Sequence, residues 1–205
     1  MKKISMIFLM MLSIGLTWTL TGCDKEDDID PTDQLTAQEI EDLQFMREEE
    51  KLARDVYLYM DEKYDFMVFA NISGSEQKHM DFVLDIMEKY GVDDNADPER
   101  GVFNNPNLQT LYNTLIAQGE QSFYQALVVG ATIEDVDIKD LGDAMATTEN
   151  EDLLDLYSTL QCGSRNHIRA FTSHVENNGD AYVPQFISQE LYDEILDGSH
   201  ESCGG

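Results

Sequence analysis

The chain has 205 residues, of which 41 are acidic and 13 basic, so its formal net charge at pH 7 is -28. Nucleic-acid-binding proteins neutralise phosphates with clustered Lys and Arg, and the longest basic run here is Lys2-Lys3. We therefore expect no nucleic-acid partner. Because 42% of the residues are hydrophobic, the chain can bury enough apolar surface to fold, and its length suits one domain.

Residues 1–22 have the layout of a lipoprotein signal peptide, with two lysines, an apolar run and Leu20-Thr21-Gly22 directly before Cys23. This end resembles the lipobox of bacterial lipoproteins, which implies that Cys23 is lipidated and becomes the new N-terminus. The alternative is an uncleaved membrane anchor, because the apolar run is close to the shortest that spans a bilayer. In either case we expect an extracytoplasmic protein attached to a membrane of the cell envelope.

Residues 23–35 carry many charges and no apolar periodicity, which predicts an acidic disordered tether. The segment Lys25-Glu26-Asp27 resembles the surface-export signal of Bacteroidetes-type lipoproteins, which implies exposure at the cell surface. A solvated linker without a signal is the alternative interpretation.

Beyond the tether, apolar residues recur with a period near 3.6, which predicts helices. Their start signals are capping boxes at Thr36, Ser73 and Thr148, and a Pro106 that follows Asn105. The helices predicted in chain order cover residues 36–64, 73–90, 105–118, 122–145, 148–179 and 188–196.

No strand-like alternation and no internal repeat is visible in this part of the sequence. The helices therefore predict an all-α domain over residues 36–197, built as a four-helix bundle with additional short helices. We expect residues 198–205 to be a flexible tail. The tail contains Cys203, and the sequence leaves open whether it forms a disulfide with Cys162 or both thiols are free.

Each long helix has polar residues near the middle of its apolar face. A buried charge without a partner costs several kcal/mol, so interruptions at a similar depth on four helices indicate a shared partner. The interrupting residues in chain order are Glu50, Glu76, His79, Glu134, Asp137, Ser164 and His167.

A metal centre explains these residues together, because carboxylates and imidazoles inside a four-helix bundle bind pairs of metal ions. Glutamate oxygens with histidine nitrogens suit iron. Each residue alone has a simpler interpretation: Glu76 and His79 as a surface pair, or His167 as a core histidine. Glu49 lies on a second possible stripe of the first helix and competes with Glu50. The scarce cations Arg54, Arg165 and Arg169 are expected to pair with acids such as Asp55, Asp137 and Asp140.

Several segments resemble ferritin-like proteins. EKLARDVYLYM, from Glu50, resembles the first bundle helix of ferritins, and SEQKH, from Ser75, resembles their second-helix ExxH motif. Glu134 and Asp137 resemble the paired acids of rubrerythrins. Across residues 40–187, the motifs EEEKLARDVY, SEQKHMD, FNNPNLQTLY, GATIEDVDIKDL and GSRNHIRAF resemble the DUF2202 family of ferritin-like domains.

The resemblance implies a ferritin-like bundle with two iron ions, or alternatively manganese, that reacts with oxygen or peroxide as a ferroxidase or peroxidase. The implied ligands are Glu50, Glu76, His79, Glu134 and His167, with Asp137 as a sixth or switching ligand. Tyr57 is expected to be a catalytic hydrogen-bond donor or electron source.

One residue departs from the pattern, because Ser164 stands where a fourth-helix ExxH motif has a glutamate. The alternative is therefore a non-enzymatic surface lipoprotein with a degenerate or single-metal site that binds metal or a partner. A homodimer is a further expectation.

Overall fold

A computed structural model describes residues 34–204 of the chain. Within this range all regular secondary structure is helical, which confirms the predicted all-α helical bundle. The helices are α1 (Ala37–Tyr64), α2 (Met67–Tyr90), α3 (Pro106–Gly119), α4 (Phe123–Thr147), α5 (Glu151–Asn177) and α6 (Gln189–Asp197).

The expected signal peptide, Cys23 and most of the tether lie outside the described residues. Leu35, which we assigned to the tether, packs partly buried against the core instead, because its side chain is apolar and lies next to the first turn of α1. None of the helices within residues 34–204 combines the length and apolar character needed to cross a membrane.

The bundle is formed mainly by two helix pairs, α1 with α2 and α4 with α5. Helix α2 also packs on α5, α1 packs on α4, and α3 lies against both α1 and α4. The apolar core has two clusters: one contains Tyr57, Phe69 and Phe171, and the other contains Leu43 and Val83. On each long helix the predicted polar residues lie between these clusters, so the bundle has a polar layer at mid-height.

Several predicted helix starts agree with the structure. Thr36 and Glu39 form the expected capping box, with Thr36 N donating to Glu39 Oε2 at 2.7 Å. Asn105 caps α3 and Ser122 caps α4. These side-chain oxygens accept bonds from the first N–H groups of each helix, which have no partner inside it.

Two predicted starts are wrong. Helix α2 begins at Met67 rather than Ser73, and the Ser73 hydroxyl donates to Ala70 O inside the helix. Phe69 is fully buried, so packing of this earlier turn outweighs the absence of a capping side chain at its start. Helix α5 is capped by Asn150, while the Thr148 hydroxyl donates to Glu39 Oε1 at 2.5 Å.

The tail that we expected to be flexible is held against α5. Cys203 forms a disulfide with Cys162, which decides between the two alternatives that the sequence left open. Glu201 accepts hydrogen bonds from Arg165 at 2.5 Å and from Arg169 at 2.8 Å. A covalent bond and two charge-assisted contacts therefore order this segment.

The segment that follows α5 is fixed by a buried carboxylate of α4. Asp135 accepts the Tyr182 hydroxyl at 2.8 Å and the backbone N–H groups of Gln185, Phe186 and Ile187 at 2.6–3.2 Å. These four donors satisfy the carboxylate, so its burial has a structural explanation.

The loop between α2 and α3 is anchored by a buried ion pair of α1. Lys51 is 1% exposed, and its Nζ donates to Asp55 Oδ2 at 2.8 Å, Glu99 O at 2.9 Å and Val102 O at 3.0 Å. All three donors of the ammonium group are used. The pair thereby connects the middle of α1 to the loop.

We expect Asp55→Asn to lower the free energy of unfolding by about 3 kcal/mol, because it leaves a buried ammonium group without its counter-ion. Urea unfolding followed by circular dichroism measures the change. The matched control is Glu41→Gln, which removes an exposed carboxylate of the same helix and should leave the midpoint nearly unchanged. Equal midpoints for the two variants would contradict the prediction.

Candidate metal centre

Five predicted ligands converge in the polar layer of the bundle. They form two groups, Glu50 with Glu76 and His79, and Glu76 with Glu134 and His167. Within each group, one ligand atom per residue lies within 4.8 Å of the others. All five side chains are buried, and they come from α1, α2, α4 and α5.

Glu76 belongs to both groups and uses a different oxygen in each. Its Oε2 lies 2.8 Å from His79 Nδ1, and its Oε1 lies 2.8 Å from His167 Nδ1. The two imidazole rings are nearly parallel, with centroids 5.7 Å apart. A carboxylate that presents one oxygen to each of two imidazole nitrogens could serve two neighbouring metal sites.

The terminal carboxylates stand on either side of this bridge. Glu50 Oε2 lies 3.1 Å from His79 Nδ1, and Glu134 Oε2 lies 3.4 Å from His167 Nδ1. The other ring nitrogen of His167, Nε2, lies 3.1 Å from Ser75 Oγ. Each imidazole therefore directs Nδ1 at the carboxylates.

Several of these contacts are close without being aligned as hydrogen bonds. Glu76 Oε1, Glu134 Oε2 and His167 Nδ1 are buried and have no hydrogen-bond partner. Buried polar atoms of folded proteins are normally satisfied. Carboxylate oxygens and a ring nitrogen that face one another in this way need a proton or a cation between them, so these residues fit a metal centre.

Helix geometry explains how the sequence builds this arrangement. Glu76 and His79 are three residues apart on α2, so they share one face. On α5, Gly163 gives the imidazole room, since a Cβ there would lie 2.5 Å from His79 Nε2. Ser164 is buried, but its hydroxyl donates to Leu160 O at 3.2 Å. Helix α5 therefore contributes one imidazole and no carboxylate to the cluster.

Burial and mutual interaction shift the pKa values of the cluster. Burial raises the pKa of Glu50 to about 7, against the opposing effect of His79. Burial would also raise the pKa of Glu76, but the imidazoles of His167 and His79 lower it overall. Burial lowers the pKa of His167, yet Glu76 and Glu134 raise it to about 10. In the metal-free protein, protons on the imidazoles thus supply the positive charge that the carboxylates need.

Tyr57 lies directly beside the centre. It is fully buried, and its hydroxyl donates to Glu134 Oε1 at 2.5 Å. Burial and the charges of Glu134, Glu76 and Asp137 raise its pKa well above the usual value, so the phenol stays protonated. Its position fits a hydrogen-bond donor to a ligand, and its role as an electron source remains a prediction.

Asp137, the sixth predicted ligand, lies outside both groups. It is buried, and neither of its oxygens has a hydrogen-bond partner. Arg165 and Arg169, which we expected to pair with such acids, bind Glu201 of the tail instead, while Arg54 does pair with Asp55.

Two residues near the centre were not predicted as part of it. Glu49 is buried together with Glu50, whereas the sequence presented the two as competitors. Ser75 contacts His167. Its position directly before Glu76 is the feature of the sequence that could have placed it near the centre.

The fold and the site define an all-α bundle protein with a buried carboxylate–histidine cluster able to hold metal. Residues 39–199 match the family described as an uncharacterised protein domain, DUF2202. The chain belongs to this family. It is 48% identical over 172 residues to MJ0754 of Methanocaldococcus jannaschii, an uncharacterised protein, and the match covers 83% of this chain and 93% of that protein.

The crystal structure of hypothetical protein MJ0754 superposes on this fold with a TM-score of 0.81. The sequence identity in this comparison is 48%, and the match covers 82% of this chain and 96% of that chain. The similarity supports the fold and the family, and the descriptions of these relatives name no function.

We expect the affinity for Mn²⁺ to rise with pH between about pH 5 and 8, by about tenfold per pH unit for each proton released. The sign follows from the ligands: Glu50, with a pKa of about 7, and His167, with a pKa of about 10, hold protons that a metal ion displaces. Calorimetric titration in buffers of different ionisation enthalpy counts the protons. An affinity that is independent of pH would contradict the prediction.

We expect Gly163→Ala to weaken Mn²⁺ binding about tenfold or more, because the added methyl group displaces the His79 ring from Glu76. The fold should persist, since Ala favours a helix over Gly by about 1 kcal/mol. The matched control is Gly74→Ala on α2, where an added Cβ would meet no packed neighbour within 4 Å. Unchanged affinity in a folded Gly163→Ala protein would contradict the prediction.

Proposed function

We propose that this protein is an exported, lipid-anchored ferritin-like protein whose bundle binds two metal ions, iron or alternatively manganese, and oxidises ferrous iron with oxygen or peroxide. The observation that carries the proposal is the shared carboxylate of Glu76, which directs one oxygen at each of two imidazoles 2.8 Å away. Glu50 and Glu134 would complete the two coordination sites.

The kind of ligand supports a redox-active first-row metal. Three carboxylates and two imidazole nitrogens form a mixed oxygen and nitrogen set, which suits iron and manganese better than purely oxygen-bound cations. Two divalent ions bring four positive charges, and the three glutamates bring three negative ones. The uncompensated charge can be balanced by Asp137, which is buried nearby.

When bound, two ferrous ions would supply the electrons that reduce oxygen or peroxide. The protein residues have supporting parts in this chemistry. Tyr57 holds Glu134 in position through its hydroxyl, and Ser75 orients the His167 ring. The two apolar clusters on either side of the polar layer keep bulk water away. Tyr57 is also close enough to Glu134 to deliver a proton or an electron through that contact.

The disulfide supports an extracytoplasmic location. Structural disulfides persist in oxidising compartments and are rare in the cytosol, and Cys162 is bonded to Cys203. Together with the signal layout before Cys23, this favours export followed by lipid attachment.

A second candidate function is favoured by Ser164. Serine has no carboxylate, and the Ser164 hydroxyl donates to Leu160 O. Helix α5 therefore offers no residue that would bridge the two ions. A centre with one bridge would bind its second ion less tightly. The protein would then bind, store or sense metal as a surface lipoprotein without catalysing oxidation.

The test is metal analysis of the full-length chain after anaerobic loading with Fe²⁺ or Mn²⁺. We expect at least two ions per chain in the unaltered protein and in Glu88→Gln, which changes an exposed acid of the same helix. We expect Glu76→Gln to lose both ions of the centre, because Glu76 is the one residue that belongs to both groups of candidate ligands. Negligible binding by the unaltered chain would contradict both candidate functions.

The rate of ferrous oxidation then separates the two candidates. Catalysis predicts that the loaded chain consumes oxygen or peroxide faster than ferrous iron does in buffer, and that Glu76→Gln does not. If metal binds but oxidation is no faster than in buffer, catalysis is wrong and the binding function stands.

A further inference from the structure

The two groups of candidate ligands differ in how their facing atoms are partnered. We call the group of Glu76, Glu134 and His167 the His167 position. The group of Glu50, Glu76 and His79 is the His79 position. Each position offers two carboxylates and one imidazole, so the kinds of ligand do not distinguish them. A difference in metal affinity has to come from what these atoms contact in the metal-free protein.

At the His167 position, every facing atom lacks a hydrogen bond. The atoms are Glu76 Oε1, Glu134 Oε2 and His167 Nδ1, and all three are buried without a hydrogen-bond partner. They lie close together nonetheless, with Nδ1 2.8 Å from Glu76 Oε1 and 3.4 Å from Glu134 Oε2. Burying polar atoms without partners is unfavourable. One cation between them would satisfy all three.

The same side chains are held in place through their other atoms. Tyr57 donates to Glu134 Oε1 at 2.5 Å, and His167 Nε2 lies 3.1 Å from Ser75 Oγ. An imidazole that donates its Nε2 proton to Ser75 can offer the lone pair of Nδ1 to a metal ion. These contacts fix Glu134 and His167 without using Oε2 or Nδ1, so the position needs little rearrangement to accept an ion.

At the His79 position, a hydrogen bond already joins two of the ligands. His79 Nδ1 is hydrogen-bonded to Glu50 Oε2 at 3.1 Å, and it lies 2.8 Å from Glu76 Oε2. A metal ion that binds here has to replace the hydrogen bond between His79 and Glu50 and displace its proton. The facing atoms of the His167 position have no hydrogen bond to replace, so an ion gains more there.

We propose that the two positions load in order: the His167 position binds the first metal ion, and the His79 position binds a second ion more weakly. This inference rests on the proposed function, because it divides the two-metal centre into two unequal positions. At a metal concentration between the two dissociation constants, the chain holds a single ion. Binding of the second ion then controls when the two-metal centre is complete.

The test is titration of the full-length chain with Mn²⁺, followed by electron paramagnetic resonance of the free ion. We expect two phases whose dissociation constants differ about tenfold or more. Glu134→Gln should lose the tight phase, whereas Glu50→Gln should keep the tight phase and lose the weak one. Each change replaces one buried carboxylate of the polar layer with an amide of the same size, so each variant is the matched control of the other.

A third variant acts on the weak phase through packing rather than charge. A Cβ at Gly163 would lie 2.5 Å from His79 Nε2 but 3.8 Å from His167 Cε1. We therefore expect Gly163→Ala to weaken the second phase and to leave the first nearly unchanged.

The location of the first ion is a second measurement, and it needs no variant. Anomalous scattering from crystals of the chain with a substoichiometric amount of Mn²⁺ should give one peak, at Glu76 Oε1, Glu134 Oε2 and His167 Nδ1. Excess Mn²⁺ should add a second peak between Glu50 and His79. A first peak at the His79 position, or loss of the tight phase in Glu50→Gln, would overturn the proposal.

The outcomes also separate the order of loading from the proposed function. If two ions bind with equal affinity, the order of loading is wrong and the two-metal centre stands. If a single ion binds even in excess Mn²⁺ and it lies at the His167 position, that position stands as the tighter one and the two-metal centre is wrong.

Discussion

The structure depends on how a bundle core accommodates carboxylates that have too few positive partners. Glu50, Glu76 and Glu134 are buried at mid-height between two apolar clusters, facing two imidazoles. Water cannot solvate them there, so each negative charge needs a proton, an imidazolium or a cation. The raised pKa values of Glu50 and His167 favour protons in this role when no cation is bound.

The remainder of the fold keeps this layer from rearranging. Lys51 and Asp55 connect α1 to the loop before α3, and Asp135 fixes the segment after α5. The disulfide of Cys162 lies one residue before Gly163, against which the His79 ring packs. Lys51, Asp55 and Asp135 are fully paired, whereas most of the buried side-chain atoms without a hydrogen-bond partner in residues 34–204 belong to the polar layer.

The sequence predicted the all-α bundle because helices follow from a 3.6-residue period of apolar residues, and the same period brought the candidate ligands to the inner faces of the helices. Glu76 and His79 had to share a face, whatever the details of packing. Boundaries that depend on tertiary contacts were less predictable, as with α2, where burial of Phe69 overrides the capping signal at Ser73. The order in the tail depends on Arg165 meeting Glu201 across 36 residues, and no local pattern encodes that contact.

Asp137 shows where prediction from helical spacing ends. Asp137 lies three residues after Glu134, so the two side chains are expected on the same face of α4. One face of a helix is broad enough to contact two neighbouring helices. Glu134 reaches His167 of α5, whereas Asp137 lines a cavity with Glu49 of α1. Helix α4 thus divides its acids between two sides, just where Ser164 leaves α5 without a carboxylate. The carboxylate that α5 lacks is therefore matched by an additional buried carboxylate on the side of α4 that faces α1, so negative charge is distributed asymmetrically in the polar layer.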